Sequence, residues 1–397
     1  MMFNEIELSS VITDIAAGPF GSKLKVSCFV PYGFPIIDGA NLKGFKVTDN
    51  LTKFVTEEKA RSLSRSIARR GDVIITISGT LGQIAYIPDD SMFEEYLCSQ
   101  RQFRVSFDSS RVYVPYLVFY FHTNEGQGKI LSFANQTGVP ALSQPLKNFR
   151  KIRIQLPSYT EQRRIASVIE AINDKIECNQ KVNDNLEQQA SAMVDQYFES
   201  VSSTVSFSDI MSFESGFAFQ SSTYLPNGQY RIITIKNVQD GQIDTTGAAY
   251  IDELPQRMKS GCLLQVGDAL LSLTGNVGRT GIVCENDLLL NQRVAKIVPH
   301  RKELLPLLYF IFRQPSMKTQ LESIAKGTAQ LNLSHVETLK LSVPYDVEVS
   351  LKLANALAPI YQAVIANNQQ SLILASIRDL LLPKLMSGEI DVSDIQL

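Results

Sequence analysis

The 397-residue sequence has no tryptophan, only three histidines and only five cysteines. The cysteines form no C-x-x-C pair, so neither a disulfide framework nor a zinc ribbon is expected, and a reducing cytosol fits best. His122, His300 and His335 lie far apart without cysteine or carboxylate at ligand spacing, which argues against a metal centre. No apolar run approaches the roughly 18 residues that cross a bilayer, and the acidic, mixed N-terminus carries no secretory signal.

Catalytic signatures are also missing. There is no G-x-S-x-G, no spaced Ser/His/Asp set and no Asp/Asn-Pro-Pro-aromatic tetrapeptide of an amino-methyltransferase. Gly79-x-x-Gly82 and Gly275-x-x-Gly278 lead into apolar, strand-like runs and lack a following Lys-Ser/Thr, which excludes a phosphate-binding loop and favours hairpin turns. The net charge of −2 disfavours a strongly basic nucleic-acid binder, although two near-neutral to basic blocks alternate with two acidic ones. The sequence indicates a protein that binds and positions.

The most informative positive feature is an internal repeat. The stretch "GDVIITISGTLGQIAYI" (Gly71–Ile87) aligns without a gap with "GDALLSLTGNVGRTGIV" (Gly267–Val283), at an offset of 196 residues. The same offset places Asn41 on Asn237, and later segments pair as "SQRQFRV" with "NQRVAKI" and "TGVPALS" with "TAQLNLS". Such self-similarity indicates duplication of a unit of roughly 190 residues.

Each copy predicts an α+β domain followed by a long helix. Short apolar runs bounded by Gly, Asp and Asn are typical of strands in a mostly antiparallel sheet, and one longer apolar run in each copy is typical of a buried helix. After Leu156-Pro157 and Val343-Pro344, the pattern typical of a globular domain gives way to one typical of a helix. We therefore expect two tandem α/β domains at 1–156 and 204–344, and two helical regions at 157–203 and 345–397, the last with a C-terminal tail.

Both helical regions carry a seam that steps alternately by four and three residues, which is typical of a coiled coil. Asn179 and Asn367 interrupt the two seams at the same level, with Asn368 as an alternative partner for Asn179. A buried asparagine lowers stability but fixes register and partner; the alternative is that both asparagines face solvent at a frayed point. The first seam comprises Ile165, Ile169, Ile172, Ile176, Asn179, Asn183, Leu186, Ala190, Met193 and Tyr197, and the second Leu353, Leu357, Ile360, Val364, Asn367, Ser371, Leu374, Arg378, Leu381 and Leu385.

Two motifs make the chain resemble the specificity subunit of type I restriction-modification systems. The first helix opens with P-x-x-x-E-Q-x-x-I, formed by Pro157, Glu161, Gln162 and Ile165, and the tail ends in "LLPKLMSGEI". The second helix is degenerate at its start, where Val349 stands in the place of the expected glutamine. The resemblance covers essentially the whole chain.

The resemblance implies a non-catalytic DNA reader in the cytoplasm. Each globular domain would recognise one half of a bipartite double-stranded target. An antiparallel coiled coil would set the spacing between the half-sites and dock two methyltransferase subunits. A pseudo-twofold protein would offer these two subunits equivalent surfaces. Restriction subunits would join this core. No cofactor is implied for this chain, because S-adenosylmethionine, ATP and magnesium would be held by the partner subunits.

Candidate base-reading residues are polar side chains on the repeated loops, because Arg and Lys suit guanine and Asn and Gln suit adenine. Any one of them could instead be a turn or surface residue, and the pairs identical in both domains favour a role in the fold or in phosphate contact. In the first domain the candidates are Lys23, Lys25, Asn41, Thr80, Gln100, Arg101, Thr137 and Ser143. In the second they are Gln220, Asn237, Asn276, Arg279, Gln292, Arg293, Thr328, Gln330 and Asn332.

Two other classes of protein remain open at this point. A coiled-coil scaffold with tandem ligand-binding modules fits the repeat but not the motif that opens the first helix. A self-sufficient DNA methyltransferase would need a cofactor-binding motif, and none is visible in the sequence.

Overall fold

The structure, a computed structural model, describes residues 4–135, 140–327 and 331–395. Contacts divide the chain into two compact units. Unit 1 comprises Met1–Asn173 and Ser376–Leu397, and unit 2 comprises Asp174–Ala375. Each of the two long helices therefore contributes one part to each unit.

The elements of unit 1 alternate short strands with short helices before the first long helix begins. Its strands are β1 Asn4–Glu7, β2 Ile12–Ala17, β3 Phe29–Val30, β4 Phe34–Ile37, β5 Phe54–Val55, β6 Ile67–Arg69, β7 Val73–Thr76, β8 Ile84–Tyr86, β9 Glu95–Cys98, β10 Gln102–Phe107 and β11 Arg153–Leu156. Its helices are α1 Glu57–Arg61, α2 Val114–Phe121, α3 Asn124–Leu131, α4 Pro145–Arg150 and the start of α5 Tyr159–Ser200.

Unit 2 repeats this order with small differences in its short elements. Its strands are β12 Thr204–Ser206, β13 Met211–Ser215, β14 Tyr230–Ile233, β15 Gly241–Gln242, β16 Ala249–Ile251, β17 Ala269–Ser272, β18 Thr280–Ile282, β19 Leu288–Leu290, β20 Val294–Pro299 and β21 Ser342–Pro344. Its helices are α6 Phe207–Ile210, α7 Leu305–Arg313, α8 Pro315–Ile324, α9 His335–Leu339 and the larger part of α10 Val347–Met386.

The sheets confirm the predicted α+β class with mostly antiparallel pairing. In unit 1 the strand orders are β2-β10-β7-β8, β3-β5-β4-β9-β6 and β1-β11, and in unit 2 they are β13-β20-β17-β18-β15, β16-β14-β19 and β12-β21. Only three ladders between described strands are parallel: β4 with β9, β14 with β19, and β15 with β18. Phe103 faces Ile75 in one unit, and Ala295 faces Leu271 at the corresponding place in the other.

The repeated stretch forms a β-hairpin in both units, as its glycines predict. β7 pairs with β8 and β17 with β18 in antiparallel register. Gly79 and Gly275 have φ angles of 96° and 76°, values that residues with a Cβ rarely adopt. The hairpin turn is therefore a conformational requirement and needs no bound phosphate to explain its glycines.

The opening motif of α5 caps and anchors the helix. Ser158 N–H and Oγ donate to Glu161 Oε2, and Glu161 N–H donates back to Ser158 Oγ, which is a capping box. The Gln162 side chain is fully buried: its Oε1 accepts from Tyr113 N–H at 2.8 Å, and its Nε2 donates to Arg111 O at 2.9 Å. The glutamine thus joins the start of α5 to the segment that enters α2.

The start of α10 corrects the sequence alignment by one residue. Asp346 Oδ1 accepts from the N–H groups of Glu348 and Val349 and so takes the capping position. Ser350 N–H bonds to Asp346 O as Gln162 N–H bonds to Ser158 O. Ser350, fully buried and bonded to Tyr197 at 2.7 Å, therefore occupies the position of Gln162, whereas the sequence comparison placed Val349 there.

The coiled-coil seam is present within each unit. All ten residues of each seam are buried or half-buried. In unit 1, Ile165 and Ile169 share one hydrophobic core with Leu382 and Leu385. In unit 2, Ala190 shares a second core with Leu357 and Val364. In unit 1 the start of α5 therefore meets the end of α10, and in unit 2 the later part of α5 meets the earlier part of α10. The pairing is antiparallel, as predicted.

A polar layer interrupts the seam in unit 2. Asn179 Nδ2 donates to Ser371 Oγ at 3.2 Å and to Asn367 O at 3.3 Å. Asn183 Oδ1 accepts from Asn367 Nδ2 at 2.8 Å, and Asn183 Nδ2 donates to Asn368 Oδ1 at 2.8 Å. Asn179 and Asn183 are 2% and 5% exposed, so the solvent-facing alternative does not hold for the first seam.

Among the described residues, α10 alone is long and apolar enough to span a membrane by length and composition, with a hydropathy of 1.3 in its most apolar window. One third of that window (33%) is buried inside the protein.

We predict that Gln162→Leu destabilises unit 1. The substitution keeps the approximate volume but leaves Tyr113 N–H and the carbonyls of Arg111 and Pro157 without their bonds to the amide, which should cost about 2 kcal/mol. Hydrogen exchange of the α2 amides in increasing urea measures this loss. Gln180→Leu, on an exposed face of α5, is the control and should stay within about 0.5 kcal/mol of the parent. Equal protection in both variants would contradict the anchoring role.

Candidate functional site

Unit 1 contains an open cleft of about 660 Å³. Three segments of chain form its walls: the loop around Asp38–Ala40, the hairpin turn around Ser78–Thr80, and the loop Ser99–Gln102. Leu24 and Val26 close it from the loop that follows β2. We call this cavity cleft 1. It gathers loops from four separate parts of the domain.

Unit 2 contains a corresponding cleft of about 470 Å³, which we call cleft 2. Thr234–Asn237 and Asn291–Arg293 line it and are the repeat counterparts of Asp38–Asn41 and Ser99–Arg101. Phe219 and Tyr224 close it from the loop that follows β13. The two units therefore place cavities at corresponding loops, although the hairpin turn lines cleft 1 and residues 246–249 line cleft 2.

In each unit, a glycine lies where the loop that closes the cleft approaches the loop with the shared Gln-Arg pair. We call the latter, Ser99–Gln102 in unit 1 and Asn291–Arg293 in unit 2, the Gln-Arg loop. A Cβ built on Gly18 would lie 1.8 Å from Ser99 O, and one on Gly216 would lie 2.2 Å from Asn291 O. No side chain fits at such distances, so glycine is needed here for a close backbone contact. Gly18 N–H also donates to Gln102 O at 2.8 Å.

The hairpin turns contact the segments that follow α3 and α8. Gly79 N–H donates to Pro140 O at 3.1 Å, and Gly275 N–H donates to Leu331 O at 2.9 Å. The structure thus brings together loops that the repeat marks but the sequence separates by about sixty residues, as expected when one fold is used twice. Thr137, Thr328 and Gln330 lie outside the described residues.

Several predicted readers are exposed around the clefts. Arg101 and Arg293 occupy equivalent positions, both exposed, and neither guanidinium has an acidic partner among the residues that the structure describes. Thr80 lines cleft 1 and Gln292 lines cleft 2. The remaining exposed candidates are Lys23, Lys25 and Ser143 in unit 1 and Gln220 and Asn276 in unit 2.

Other predicted readers are committed to bonds within the chain. Asn41 is 3% exposed, and its amide bonds Asp38 N–H, Thr48 O and Asn50 O. Asn237, 5% exposed, repeats this arrangement with Thr234 N–H and Asp244 O. Both asparagines therefore shape the cleft loop and do not present their amides to a base, as their identity in both copies suggested.

Three further candidates also hold loops together. Gln100 Nε2 donates to Gly21 O and Leu24 O, which ties the closing loop of cleft 1 to the Gln-Arg loop. Arg279 Nη1 donates to Gln239 Oε1 at 2.6 Å. Asn332, although exposed, accepts from Thr274 Oγ1 at 3.0 Å. Of these contacts, that of Gln100 lies in the wall of cleft 1.

Sequence reasoning missed the charged residues that distinguish the two clefts. In cleft 1, Lys53 Nζ lies 2.6 Å from Asp38 Oδ2. Partial burial would raise the pKa of Asp38, but the hydrogen bonds from Lys53 and Ala40 outweigh it and lower that pKa. In cleft 2, Thr234 replaces Asp38 and the exposed Lys236 replaces Ala40. Lys236 adjoins the repeated asparagine and could have been found, whereas Lys53 lies too far along the chain.

No candidate metal centre is present in the part of the chain that the structure describes. The three histidines lie at separate places: His122 Nε2 contacts Ile84 O at 2.8 Å, His300 Nδ1 contacts Asp209 O at 3.1 Å, and His335 stacks on Phe213. Burial lowers the pKa of His122 and of His335. His122 and His335 therefore pack against neighbouring rings, whereas His300 is exposed.

The fold is thus a tandem duplication in which each unit carries an open cleft lined by an exposed arginine, Arg101 or Arg293. A family model described as the type I restriction modification DNA specificity domain matches residues 21–188 and again residues 200–374. Since the matches cover most of the chain, the protein belongs to the type I restriction-modification DNA specificity family. The expectation of a non-catalytic DNA-recognition subunit is thereby confirmed, and neither the scaffold nor the self-sufficient methyltransferase is favoured.

Individual relatives agree with this membership. The type I restriction enzyme MjaIX specificity subunit of Methanocaldococcus jannaschii is 23% identical over 86% of this chain and 82% of its own length. The HindI specificity subunit of Haemophilus influenzae is 30% identical over 32% of this chain and 26% of its own. The crystal structure of the type I S subunit from M. genitalium, 15% identical with a TM-score of 0.54, covers 96% of both chains and shares the fold.

We predict that Arg101→Ala weakens the binding of duplex DNA and lowers its salt dependence. If Arg101 bonds a phosphate, its loss should reduce the slope of log affinity against log salt by about 1. If Arg101 reads a base, its loss should reduce the discrimination at one base pair by about 1–3 kcal/mol. Fluorescence anisotropy in a salt series measures both. Arg69→Ala, also exposed but paired with Glu95, is the control. Equal effects of the two substitutions would exclude a special role for cleft 1.

Proposed function

We propose that this protein is the sequence-reading subunit of a type I restriction-modification complex and that each cleft reads one half of a bipartite double-stranded DNA target. The observation that carries the proposal is the construction of one cleft twice with different linings. The parts that shape the cleft repeat, such as Asn41 and Asn237, whereas most of the exposed side chains around it differ, with Arg101 and Arg293 as a shared pair. A shared frame with changed contacts is what two different half-sites would require.

The chemistry around the clefts supports DNA contact. Arg101 and Arg293 are free to bond phosphate oxygens or a guanine edge. Lys23 and Lys25 add positive charge beside cleft 1, and Lys236 adds it inside cleft 2. Our proposed readers are Thr80, Arg101, Lys23, Lys25 and Ser143 for one half-site, and Gln220, Asn276, Gln292 and Arg293 for the other. The weak net charge fits a complex in which partner subunits contribute to the phosphate contacts.

The two long helices form the second functional part of the proposal. The antiparallel coiled coil fixes the distance between half-sites, and its outer surface docks two methyltransferase subunits, with restriction subunits joining them. Ile377 and Leu380 of α10 support docking, because they are 41% and 66% exposed and lie outside the seam. Asn179 and Asn367 are the register-setting residues, since a wrong register would leave their amides unpaired.

The cofactors of the complex belong to the partners in this proposal. The methyltransferase subunits supply S-adenosylmethionine and extrude the target adenine, and the restriction subunits use ATP and magnesium. This chain supplies the frame and the base contacts. We place the complex in the cytoplasm as part of this proposal, which the free cysteines support.

The proposal is tested by expressing the chain with a methyltransferase partner and sequencing the methylated adenines of the host genome. A two-part motif with an unspecified spacer, absent when either protein is omitted, is the expected result. Filter binding with duplex DNA, with and without the partner, complements it. Retention of S-adenosylmethionine by this chain alone, or methylation without the partner, would contradict the assignment.

We predict that the two recognition domains are modular at the predicted boundary after Leu156. Replacing residues 1–156 with the equivalent block of a relative should change one half of the methylated motif and leave the other half intact, because the closing loops and walls of each cleft come from one domain. Genome methylation sequencing measures both halves at once. A change on both sides after a single exchange would contradict independent reading.

We also predict that a chain ending at Ser203 forms a homodimer. Asn179 faces Ser371 and Asn183 faces Asn367 in the protein, and the repeat offset of the helices makes Ser371 and Asn367 the counterparts of Asn183 and Asn179. Two copies of α5 would therefore pair Asn179 with Asn183 and preserve the polar layer. With the partner present, such a dimer should methylate an inverted repeat of the first half-site.

Light scattering measures the mass of the shortened chain, and two matched variants test the seam. Ile176→Glu places a carboxylate in the seam and should give monomers, because burying an unpaired charge is costly. Cys178→Glu adds the same charge on an exposed face and should leave the dimer intact. A monomeric parent at tens of micromolar, even with the partner, would contradict the prediction.

A further inference from the structure

Arg313, at the end of α7, connects the cleft 2 loop to the long helix α5. Its Nη2 forms an ion pair with Glu187 Oε2 of α5. Its Nη1 lies 3.1 Å from Asp240 Oδ1, in the loop that continues from the cleft residues Thr234–Asn237. One guanidinium therefore joins the wall of the cleft to the coiled coil within unit 2.

The surroundings of Arg313 hold this connection in one geometry. Tyr309 OH donates to Glu187 Oε1 at 3.2 Å, which orients the carboxylate. A Cβ on Gly241 would lie 3.0 Å from the same oxygen, so the loop touches the helix directly. One turn along α5, Ser191 Oγ donates to Gln314 Oε1 at 2.9 Å. The side chains of Arg313 and Glu187 are 21% and 22% exposed, so solvent screens their attraction only in part.

Unit 1 has a cationic contact at the corresponding place, built from different residues. The Arg378 guanidinium of α10 lies 5.3 Å from the centre of the Phe45 ring, and Phe45 follows the cleft 1 loop as Gly241 follows the cleft 2 loop. His122, the repeat counterpart of Arg313, packs edge-on against Phe45 with 4.5 Å between ring centres. Arg378 also donates to Asn173 Oδ1 at 3.1 Å. Each cleft loop is thus held to a long helix by an arginine.

We propose that Arg313 is a positioning residue that fixes cleft 2 on the coiled coil and thereby sets how strictly the protein discriminates the spacer length of its target. The inference rests on the proposed function, in which the helices set the distance between half-sites. A helical ruler measures distance only if the reading loop cannot shift on the helix. Arg313 prevents that shift by binding the carboxylates of both Glu187 and Asp240. Without Arg313, these two carboxylates would face one another and repel.

The contact with α5 separates Arg313 from its neighbours. Lys318 Nζ also binds Asp240, at 3.1 Å from Oδ2, and Arg279 bonds Gln239 in the same loop. Within the described ranges, neither side chain bonds to α5. Loss of Lys318 should therefore weaken the loop slightly without freeing it from α5. This provides a control that removes one positive charge from the same network.

The test uses the full-length chain with its methyltransferase partner and duplexes that carry the motif from genome methylation sequencing. Three duplexes have the native spacer, one base pair less and one more, and a fourth has one base changed in the half-site of cleft 2. Affinities are compared for the parent, Arg313→Met and Lys318→Met at one salt concentration. Glu187→Gln, which preserves side-chain volume, serves as a second variant in case Arg313→Met folds poorly, and thermal unfolding reports on folding.

The parent should bind the altered spacers about tenfold or more weakly than the native one. In Arg313→Met and Glu187→Gln this difference should fall to about threefold or less, while the penalty for the changed base stays within about twofold of the parent. Lys318→Met should behave as the parent. Unchanged spacer discrimination in both Arg313→Met and Glu187→Gln would overturn the inference. Loss of base discrimination in these variants would also overturn it, because Arg313 would then have a role in cleft structure only. A parent that binds no duplex would instead overturn the proposed function, and the inference with it.

Discussion

The antiparallel pairing of α5 with α10 is the interaction on which the rest of the structure depends. In unit 1 it brings Leu382 and Leu385, near the end of the chain, into the core built by the first domain and Ile165. Burial of such side chains contributes about 1.5–3 kcal/mol each. The seam alone would permit slippage by one turn, and the asparagine layer opposes this, because displaced amides would be buried without partners. Stability thus comes from the apolar positions and register from the polar ones.

Duplication separates the parts of the protein that must stay constant from those that can vary. The glycines that allow close backbone contact, Gly18 and Gly216, and the two buried cleft asparagines recur because the loop geometry requires them. The exposed positions around the clefts meet no such constraint, so an ion pair in one cleft can be replaced by an exposed lysine in the other. The proposed reading of two different half-sites requires this combination.

Much of the architecture could be predicted from the sequence, because its signals are local and periodic. The hairpins follow from their glycines, and the seam follows from its spacing of four and three. The clefts were only partly predictable. Gln100 and Arg279 have the residue types of base readers, yet their side chains hold loops together, since their partners, the Leu24 carbonyl and the Gln239 amide, lie far along the chain. The contact of Arg313 with Glu187 joins residues 126 positions apart, and no sequence period marks it.

The central claim is that two equivalent clefts bind two separate segments of one DNA molecule. Hydroxyl-radical footprinting of the complex on its methylated site tests this most directly, because protection reports backbone contact at each nucleotide. The account predicts two protected segments, of which Arg293→Ala weakens only one. A single protected segment, or equal loss of both with this substitution, would contradict it.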